Sequence, residues 1–136
     1  MADLIRLGRV SSIDYETGQI AVMYTDRDDS VTSMIPYLTF NNEYHMPKPE
    51  DYVAVMHLST GAEMAIVLGT YWDEENLPAE TGKDLYLKEF SNTPGKAYMK
   101  HEPSDGELEI RADKIRLVTE AGSVSVAQII EHIVNA

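Results

Sequence analysis

The fold of this chain is decided by residues 84–127, which read DLYLKEFSNTPGKAYMKHEPSDGELEIRADKIRLVTEAGSVSVA. Charged residues lie between and beside pairs of apolar residues spaced two apart, as in a strand with one apolar and one solvated face. Turn-forming sequences such as Asn92-Thr93-Pro94-Gly95 separate the pairs. The stretch therefore predicts five short strands, marked by Leu85 and Leu87, Ala97 and Met99, Leu108 and Ile110, Ile115 and Leu117, and Val124 and Val126.

These strands carry too little apolar surface to be stable alone. Burying a Leu or Ile side chain contributes roughly 1.5 to 3 kcal/mol, whereas ordering each backbone residue costs about 1 to 2 kcal/mol. The few apolar pairs in residues 84–127 therefore contribute much less free energy than the ordering of the backbone costs. Something outside the segment must cover the apolar faces, and a second and third copy of the same segment are the simplest source.

The composition describes an ordinary soluble chain of 136 residues, with 43% hydrophobic and 25% charged residues. The absence of cysteine excludes disulfides, Cys-ligated zinc and thiol catalysis, so extra stability must come from oligomerisation. No apolar run precedes Arg6 and Arg9 as a secretory signal requires. We therefore expect the protein to be made in the cytoplasm.

Acidic residues dominate the first half of the chain. The net charge is −12, and residues 1–76 hold four basic against thirteen acidic residues. Such a balance disfavours binding to a phosphate backbone, so we expect no nucleic acid partner.

Residues 4–69 predict five strands and no helix, and the third of these strands covers residues 31–35. Gly8 lies inside the first strand and predicts a bulge or a sharp bend there, as a strand shared by two edges of a small closed barrel needs. We predict an OB-type barrel over residues 1–76, with a hairpin turn at residues 59–61 and a loop over residues 37–51. The strands at residues 53–56 and 65–68 are apolar on both faces, so one face fills the barrel and the other meets a partner.

The end of the chain changes to a helical period. Apolar residues fall at i, i+3, i+4 and i+7 from Val126, and Ser125 with Gln128 has the spacing of a capping box. We predict a short helix over residues 128–136, following a strand segment over residues 77–127.

The order of motifs along the chain resembles the baseplate assembly protein V, or central spike, of contractile phage tails and related injection machines. The matching motifs are Gly8-Arg9-Val10, Met34-Ile35-Pro36, Tyr52-Val53-Ala54-Val55 and residues 65–71 before an acidic, Pro-containing connection. The resemblance implies an all-β chain, with an N-terminal OB-fold followed by a trimeric β-prism or β-helix. Three copies would bury a common core made of Leu85, Leu87, Met99, Leu108, Ile110, Ile115, Leu117, Val124 and Val126.

The same resemblance implies a structural role and no enzymatic activity. A homotrimeric spike would dock on a baseplate hub protein and help to penetrate the target cell envelope, within a virion or tail-like particle. Some relatives hold an iron ion at the tip with a His-x-His motif, which this chain lacks. We expect no metal and no cofactor, and we expect the tip to be closed by Ile129, Ile130 and Ile133.

Two alternatives belong to other functional classes. An OB-fold module could bind single-stranded nucleic acid or oligosaccharide, and a basic groove with interleaved aromatic residues would identify the nucleic-acid type. A spike carrying a hydrolase would need an inserted domain, for which the chain has no room. The acidic turn at residues 26–29 lacks the Gly and distal Glu of a calcium loop, so a solvated turn is favoured.

Overall fold

The computed structural model describes residues 4–58 and 64–135 of the chain. This part is mostly β, with several antiparallel sheets and a C-terminal helix. The chain divides into two compact units between Leu77 and Pro78, here called the N-terminal and C-terminal units. Within the described ranges, no helix combines the length and the apolar character needed to cross a membrane.

The N-terminal unit contains a sheet with the strand order β3-β2-β1-β5-β6, in which neighbouring strands are antiparallel and β4 also pairs with β2. A 3-10 turn over Thr25–Arg27 follows β2. The predicted turn at residues 59–61 lies outside the described residues. The strands are β1 (Ile5–Asp14), β2 (Gln19–Tyr24), β3 (Ser30–Val31), β4 (Ile35–Pro36), β5 (Tyr52–His57) and β6 (Ala65–Thr70).

The prediction of one continuous strand over residues 31–35 is wrong, because β3 and β4 are separate. The backbone N–H of Val22 donates to the side-chain oxygen of Thr32 at 2.9 Å. A hydroxyl thereby takes the place of a backbone carbonyl in the ladder, and the regular pairing with β2 is interrupted. The loop prediction is confirmed, since residues 37–51 contain no helix and only an isolated bridge at Tyr37.

Strand β1 is shared between two neighbours. Its first half, Ile5 to Arg9, pairs with β5, and its second half, Arg9 to Asp14, pairs with β2. The bulge lies between Val10 and Ser12, beyond Gly8. Gly8 is needed for a different reason: a Cβ atom there would lie 2.4 Å from Cγ1 of Val22 and 2.9 Å from Cδ1 of Tyr24.

The buried core of the described residues lies entirely in the N-terminal unit. The segment after β4 reaches β6, because Tyr37 forms a parallel bridge with Val67 and the N–H of Leu38 donates to the Val67 carbonyl at 2.9 Å. The core consists of the inward-facing side chains of the sheet, namely Val10, Ile20, Val22, Tyr24, Ile35, Val53, Val55, Ala65 and Val67.

The C-terminal unit contains the five strands predicted for residues 84–127. They form a three-stranded sheet in the order β7-β8-β9 and a separate hairpin of β10 and β11. The strands are β7 (Tyr86–Glu89), β8 (Tyr98–Glu102), β9 (Glu107–Arg111), β10 (Arg116–Thr119) and β11 (Gly122–Ser125), and they precede helix α1 (Val126–Val134).

The predicted capping box at the start of α1 is confirmed. The N–H of Gln128 donates to Oγ of Ser125 at 3.1 Å, and the N–H of Ser125 donates to Oε1 of Gln128 at 2.9 Å. Because Ser125 is the N-cap, Val126 is the first helical residue, two residues before the predicted start. The last predicted helical residue, Ala136, lies outside the described residues.

Candidate interaction surfaces

The sheet of β7, β8 and β9 has one face rich in exposed apolar side chains. The register places Met99 opposite Ile110 and His101 opposite Leu108. Leu108 is 61% exposed and Ile110 is 54% exposed. We call this the prism face; its residues, set by the strand alternation and the register, are Tyr86, Lys88, Met99, His101, Leu108 and Ile110.

The opposite face of the same sheet is charged. Nζ of Lys100 lies 3.1 Å from a carboxylate oxygen of Glu80 and 3.9 Å from one of Glu109, and the hydroxyl of Tyr98 donates to Glu109. The hydrogen bond that Lys100 donates to Glu80 raises the pKa of Lys100, and the hydrogen bond that Tyr98 donates to Glu109 raises the pKa of Tyr98. These charged and hydrogen-bonded side chains make this face suitable for contact with solvent.

The structure divides the predicted interface residues of this sheet between its two faces. Met99, Leu108 and Ile110 share the prism face, whereas Leu87 lies opposite Lys100 on the charged face. Sequence reasoning placed Leu87 with Met99 because both belong to apolar pairs, but pairs on neighbouring strands share a face only if the register aligns them. It also missed Tyr86, which alternates with Leu87 and lies on the prism face.

The hairpin of β10 and β11 brings together four of the predicted residues. Leu117 lies opposite Val124, and the N–H of Val126 donates to the carbonyl of Ile115 at 2.8 Å, which continues the same register. Leu117 is 55% exposed. Its neighbour Val118 lies on the other face, opposite Ser123.

Helix α1 carries the residues predicted to close the tip. Ile129 is partly buried, while Ile130 and Ile133 are exposed together with Val134, which sequence reasoning did not select. Every side chain in residues 78–135 is at least partly exposed to solvent. The C-terminal unit thus has regular hydrogen-bonded strands and a capped helix, yet its apolar faces are uncovered.

A second apolar surface lies on the N-terminal unit, on the side of the sheet away from the core. The register forms rows across the strands: Ile5 pairs with Met56 and Met56 with Ile66, while Leu7 pairs with Ala54. Ile5 is 58% exposed and Leu7 is 60% exposed. We call this surface the outer face; its residues are Ile5, Leu7, Arg9, Met23, Val31, Tyr52, Ala54, Met56 and Ile66.

A polar cluster lies at one end of the N-terminal unit. The guanidinium carbon of Arg6 lies 3.7 Å from the centre of the Tyr24 ring, and the Tyr24 hydroxyl lies 2.7 Å from Nε2 of His57. Nη2 of Arg6 lies 3.7 Å from a carboxylate oxygen of Asp26. Burial lowers the pKa of His57, and the positive charge of Arg6 lowers it further. The arrangement favours a neutral imidazole beside a fixed arginine.

A small cleft lies between the β1-β2 turn and the loop over residues 37–51. Its volume is about 240 Å³, and Tyr44, which donates to the carbonyl of Tyr15 at 2.9 Å, forms part of its wall. Small-molecule sites usually measure roughly 300 to 1,000 Å³. The lining contains no Lys or Arg, so the cleft does not suit a phosphate backbone; its polar and aromatic lining residues include Glu16, Tyr37, Asn42, Tyr44 and His45.

Neither the arrangement of metal-binding side chains nor two comparisons with known proteins identifies a metal site or a family. Within residues 4–58 and 64–135, no three His, Asp or Glu side chains are grouped closely enough to hold a metal ion. A scan against models of protein families found no matching family, and a search of curated proteins found no similar chain. Function must therefore be inferred from the surfaces described above.

Proposed function

We propose that this chain forms the homotrimeric central spike of a contractile phage tail or a related tail-like particle. In this role the protein docks on a baseplate hub and helps to penetrate the target cell envelope. It acts mechanically and catalyses no reaction. The observation that carries the proposal is the C-terminal unit, whose ordered strands have no buried core of their own.

The elements of this unit are too small to be stable in isolation. A lone two-stranded hairpin is marginal in water, and so is a nine-residue helix such as Val126–Val134. The prism face and the Leu117 side of the β10-β11 hairpin would each be covered if three copies wrapped around one axis. The charged network of Lys100, Glu80 and Glu109 would then remain on the outside.

A trimeric prism also explains how such short strands could bear an axial load. Each chain contributes sheets with free edges, β7 and β9 in one sheet and β10 and β11 in the other. Pairing or covering these edges with neighbouring copies protects them from association with other chains and couples the copies mechanically. Three copies of Ile129, Ile130 and Ile133 would close the tip without a metal ion.

We further propose that the N-terminal unit is an OB-type barrel. Three contacts support closure of the sheet: β1 is shared between β2 and β5, β4 pairs with β2, and Tyr37 bridges to Val67 on β6. The last two contacts join the β2 side of the sheet to β6 through residues 35–38. A barrel of this kind is a rigid base for docking on a hub.

The alternative function, an OB-fold module for single-stranded nucleic acid or oligosaccharide, is less well supported. The acidic balance of residues 1–76 opposes nucleic acid. The cleft beside Tyr44 has the polar and aromatic lining that a sugar uses, but its volume is small for such a ligand.

Electron microscopy with an antibody against this chain tests the proposed function. The antibody would be applied to a lysate of the cells that produce the protein. We expect gold label at the baseplate end of contractile particles, on the tail axis. Label on tail fibres or capsids, or particles that carry none, would contradict the proposal.

A further inference from the structure

We propose that the cleft between the β1-β2 turn and the loop over residues 37–51 binds a lysine or arginine side chain that a partner protein presents. We call it the Tyr44 cleft. The inference goes beyond the proposed function because it names the chemistry that the N-terminal unit recognises. It rests on the proposed function in one respect, namely that the baseplate hub would be the partner that carries the basic residue.

Contacts between the turn and the loop hold the Tyr44 cleft in shape. The hydroxyl of Tyr44 donates to the carbonyl of Tyr15 at 2.9 Å. The N–H of Tyr37 donates to the carbonyl of Gly18 at 3.3 Å. Tyr37 and Met46 line the cleft and also pack, partly buried, against the hydrophobic core of the unit. The cleft is therefore formed before a ligand arrives, which lowers the ordering cost of binding.

The volume of the Tyr44 cleft, about 240 Å³, suits a single side chain. Sites for small organic ligands usually measure roughly 300 to 1,000 Å³. Lysine and arginine consist of an apolar stem of CH₂ groups with a charge at its end. Such a side chain can lay its stem against Tyr37 and Met46 while its cationic group stays at the rim of the cleft.

The lining of the cleft favours a cation. It contains the carboxylates of Glu16 and Glu43, which outnumber the basic lining residue His45, and it contains no Lys or Arg. Among the residues that the structure describes, Glu16 forms no ion pair with a Lys or Arg side chain. Tyr37 and Tyr44 add aromatic rings, whose faces attract a cation within about 6 Å of the ring centre.

The charge of the surrounding unit favours the same ligand. Residues 1–76 hold four basic against thirteen acidic residues. Two of the basic residues already lie beside carboxylates, since Arg9 is 2.6 Å from Glu50 and Arg6 is 3.7 Å from Asp26. A surface dominated by one sign of charge attracts ligands of the opposite sign and speeds their association. The unit therefore attracts a basic partner, and the Tyr44 cleft gives one of its side chains a defined position.

The expected strength of the contact favours a partner protein over a free amine. An exposed ion pair changes a binding constant by roughly fivefold at most. One side chain in this cleft is therefore suited to orienting a partner that is also held by other contacts.

Nuclear magnetic resonance of the isotope-labelled full-length chain tests the site. The probe is a capped tripeptide with lysine between two glycines. We expect saturable shifts of the amide signals of Thr17, Gly18 and Tyr44, with a Kd in the millimolar range. A comparison peptide carries norleucine in place of lysine, which keeps the apolar stem but lacks the ammonium group, and it should bind more weakly.

The critical variant is Glu16→Gln, which removes one charge and nearly preserves the size of the side chain. It should weaken binding of the lysine peptide by roughly two- to fivefold, the range of an exposed ion pair. The matched control is Glu74→Gln, which removes an exposed carboxylate of the same unit that does not line the cleft. This control should bind the lysine peptide as the wild type does.

Saturable shifts that weaken in the Glu16 variant alone support the site. Absence of saturable shifts, equal weakening in the two variants, or equal binding of the norleucine peptide overturns it. Binding of n-butylammonium without binding of the lysine peptide also overturns it, because the cleft would then accept a free amine but no side chain on a backbone. These results leave the proposed spike intact, which fails instead if the full-length chain has the mass of one copy.

Discussion

Met99 of β8 lies directly opposite Ile110 of β9 on the prism face, and Ile110 remains 54% exposed. In a sheet that belongs to a complete monomeric fold, such an apolar pair would lie against a helix or a second sheet. Here the pair has regular backbone pairing and no layer above it among residues 78–135. The predictions below follow from the proposal that neighbouring copies supply that layer.

The substitution Leu117→Asp should dissolve the trimer. It would place an unpaired carboxylate at the shared core in each of three copies, and burying such a charge is strongly unfavourable. The N-terminal unit has its own core and should stay folded. Light scattering should give the mass of a single chain, with a preserved thermal transition from the N-terminal unit.

The matched control for this variant is Val118→Asp, which changes the adjacent residue on the opposite side of the same strand. This carboxylate would lie beside Ser123 and remain in water, so the trimer should persist. If both variants remained trimeric, or if only Val118→Asp dissociated, the assignment of Leu117 to the shared core would be wrong.

The substitution Ile110→Ser should weaken the trimer more than Leu87→Ser. Ile110 lies on the prism face, whereas Leu87 lies among the charged residues of the other face. Loss of a buried Ile side chain removes roughly 1.5 to 3 kcal/mol of apolar stabilisation in each copy. Dilution series followed by mass photometry should show dissociation of the Ile110 variant at higher concentration. A larger effect of Leu87→Ser would mean that the other face is buried.

The substitution Gly8→Ala should destabilise the N-terminal unit by about 1 to 3 kcal/mol. The added Cβ would lie 2.4 Å from Cγ1 of Val22, so the β1-β2 packing must shift. Urea unfolding measures the change. Gly82→Ala is the control, because its Cβ would meet Cβ of Leu85 at 3.6 Å, an ordinary contact, and we expect nearly unchanged stability. Equal midpoints for the Gly8 variant and the wild type would refute the close approach.

The stability of the N-terminal unit should fall as the pH drops below about 6.5, the ordinary pKa of histidine. Burial and Arg6 lower the pKa of His57 in the folded protein, so protonation is easier after unfolding. The stability that neutral His57 contributes is fully present above the pKa of this residue in the unfolded chain. It is lost as the pH falls through the pKa of His57 in the folded protein. The Tyr24 hydroxyl lies 2.7 Å from Nε2 of His57, and Asp26 lies 3.7 Å from Nη2 of Arg6.

Unfolding curves at pH 7.5 and pH 5.5 test this dependence, with His57→Gln as the comparison. The variant should lose less stability than the wild type between the two pH values, because the other titrating groups are common to both. An identical pH dependence of the two proteins would show that His57 is not responsible.

Local sequence patterns predicted the elements better than they predicted the surfaces. The alternation around Leu108 and Leu117 located β9 and β10, and the spacing of Ser125 and Gln128 identified the capping box of α1, although the predicted helix began two residues late. These signals depend on neighbouring residues. The division between β3 and β4 depends on one side-chain hydrogen bond, from Val22 to Thr32, which periodicity does not encode.

Faces and close approaches required the structure, because they depend on register. Leu87 and Met99 have the same local pattern but lie on opposite faces. Gly8 was expected to mark a bend, yet its position is explained by the approach of Val22 and Tyr24 from the neighbouring strand. The extent of the outer face likewise depends on the register of β1 with both β2 and β5.

The central claim is that the C-terminal unit is completed by two further copies of the chain. Size-exclusion chromatography with light scattering of the wild-type protein at micromolar concentration tests it most directly. The proposal predicts three times the mass of a single chain, with no dependence on moderate dilution. A folded particle with the mass of one chain would contradict it.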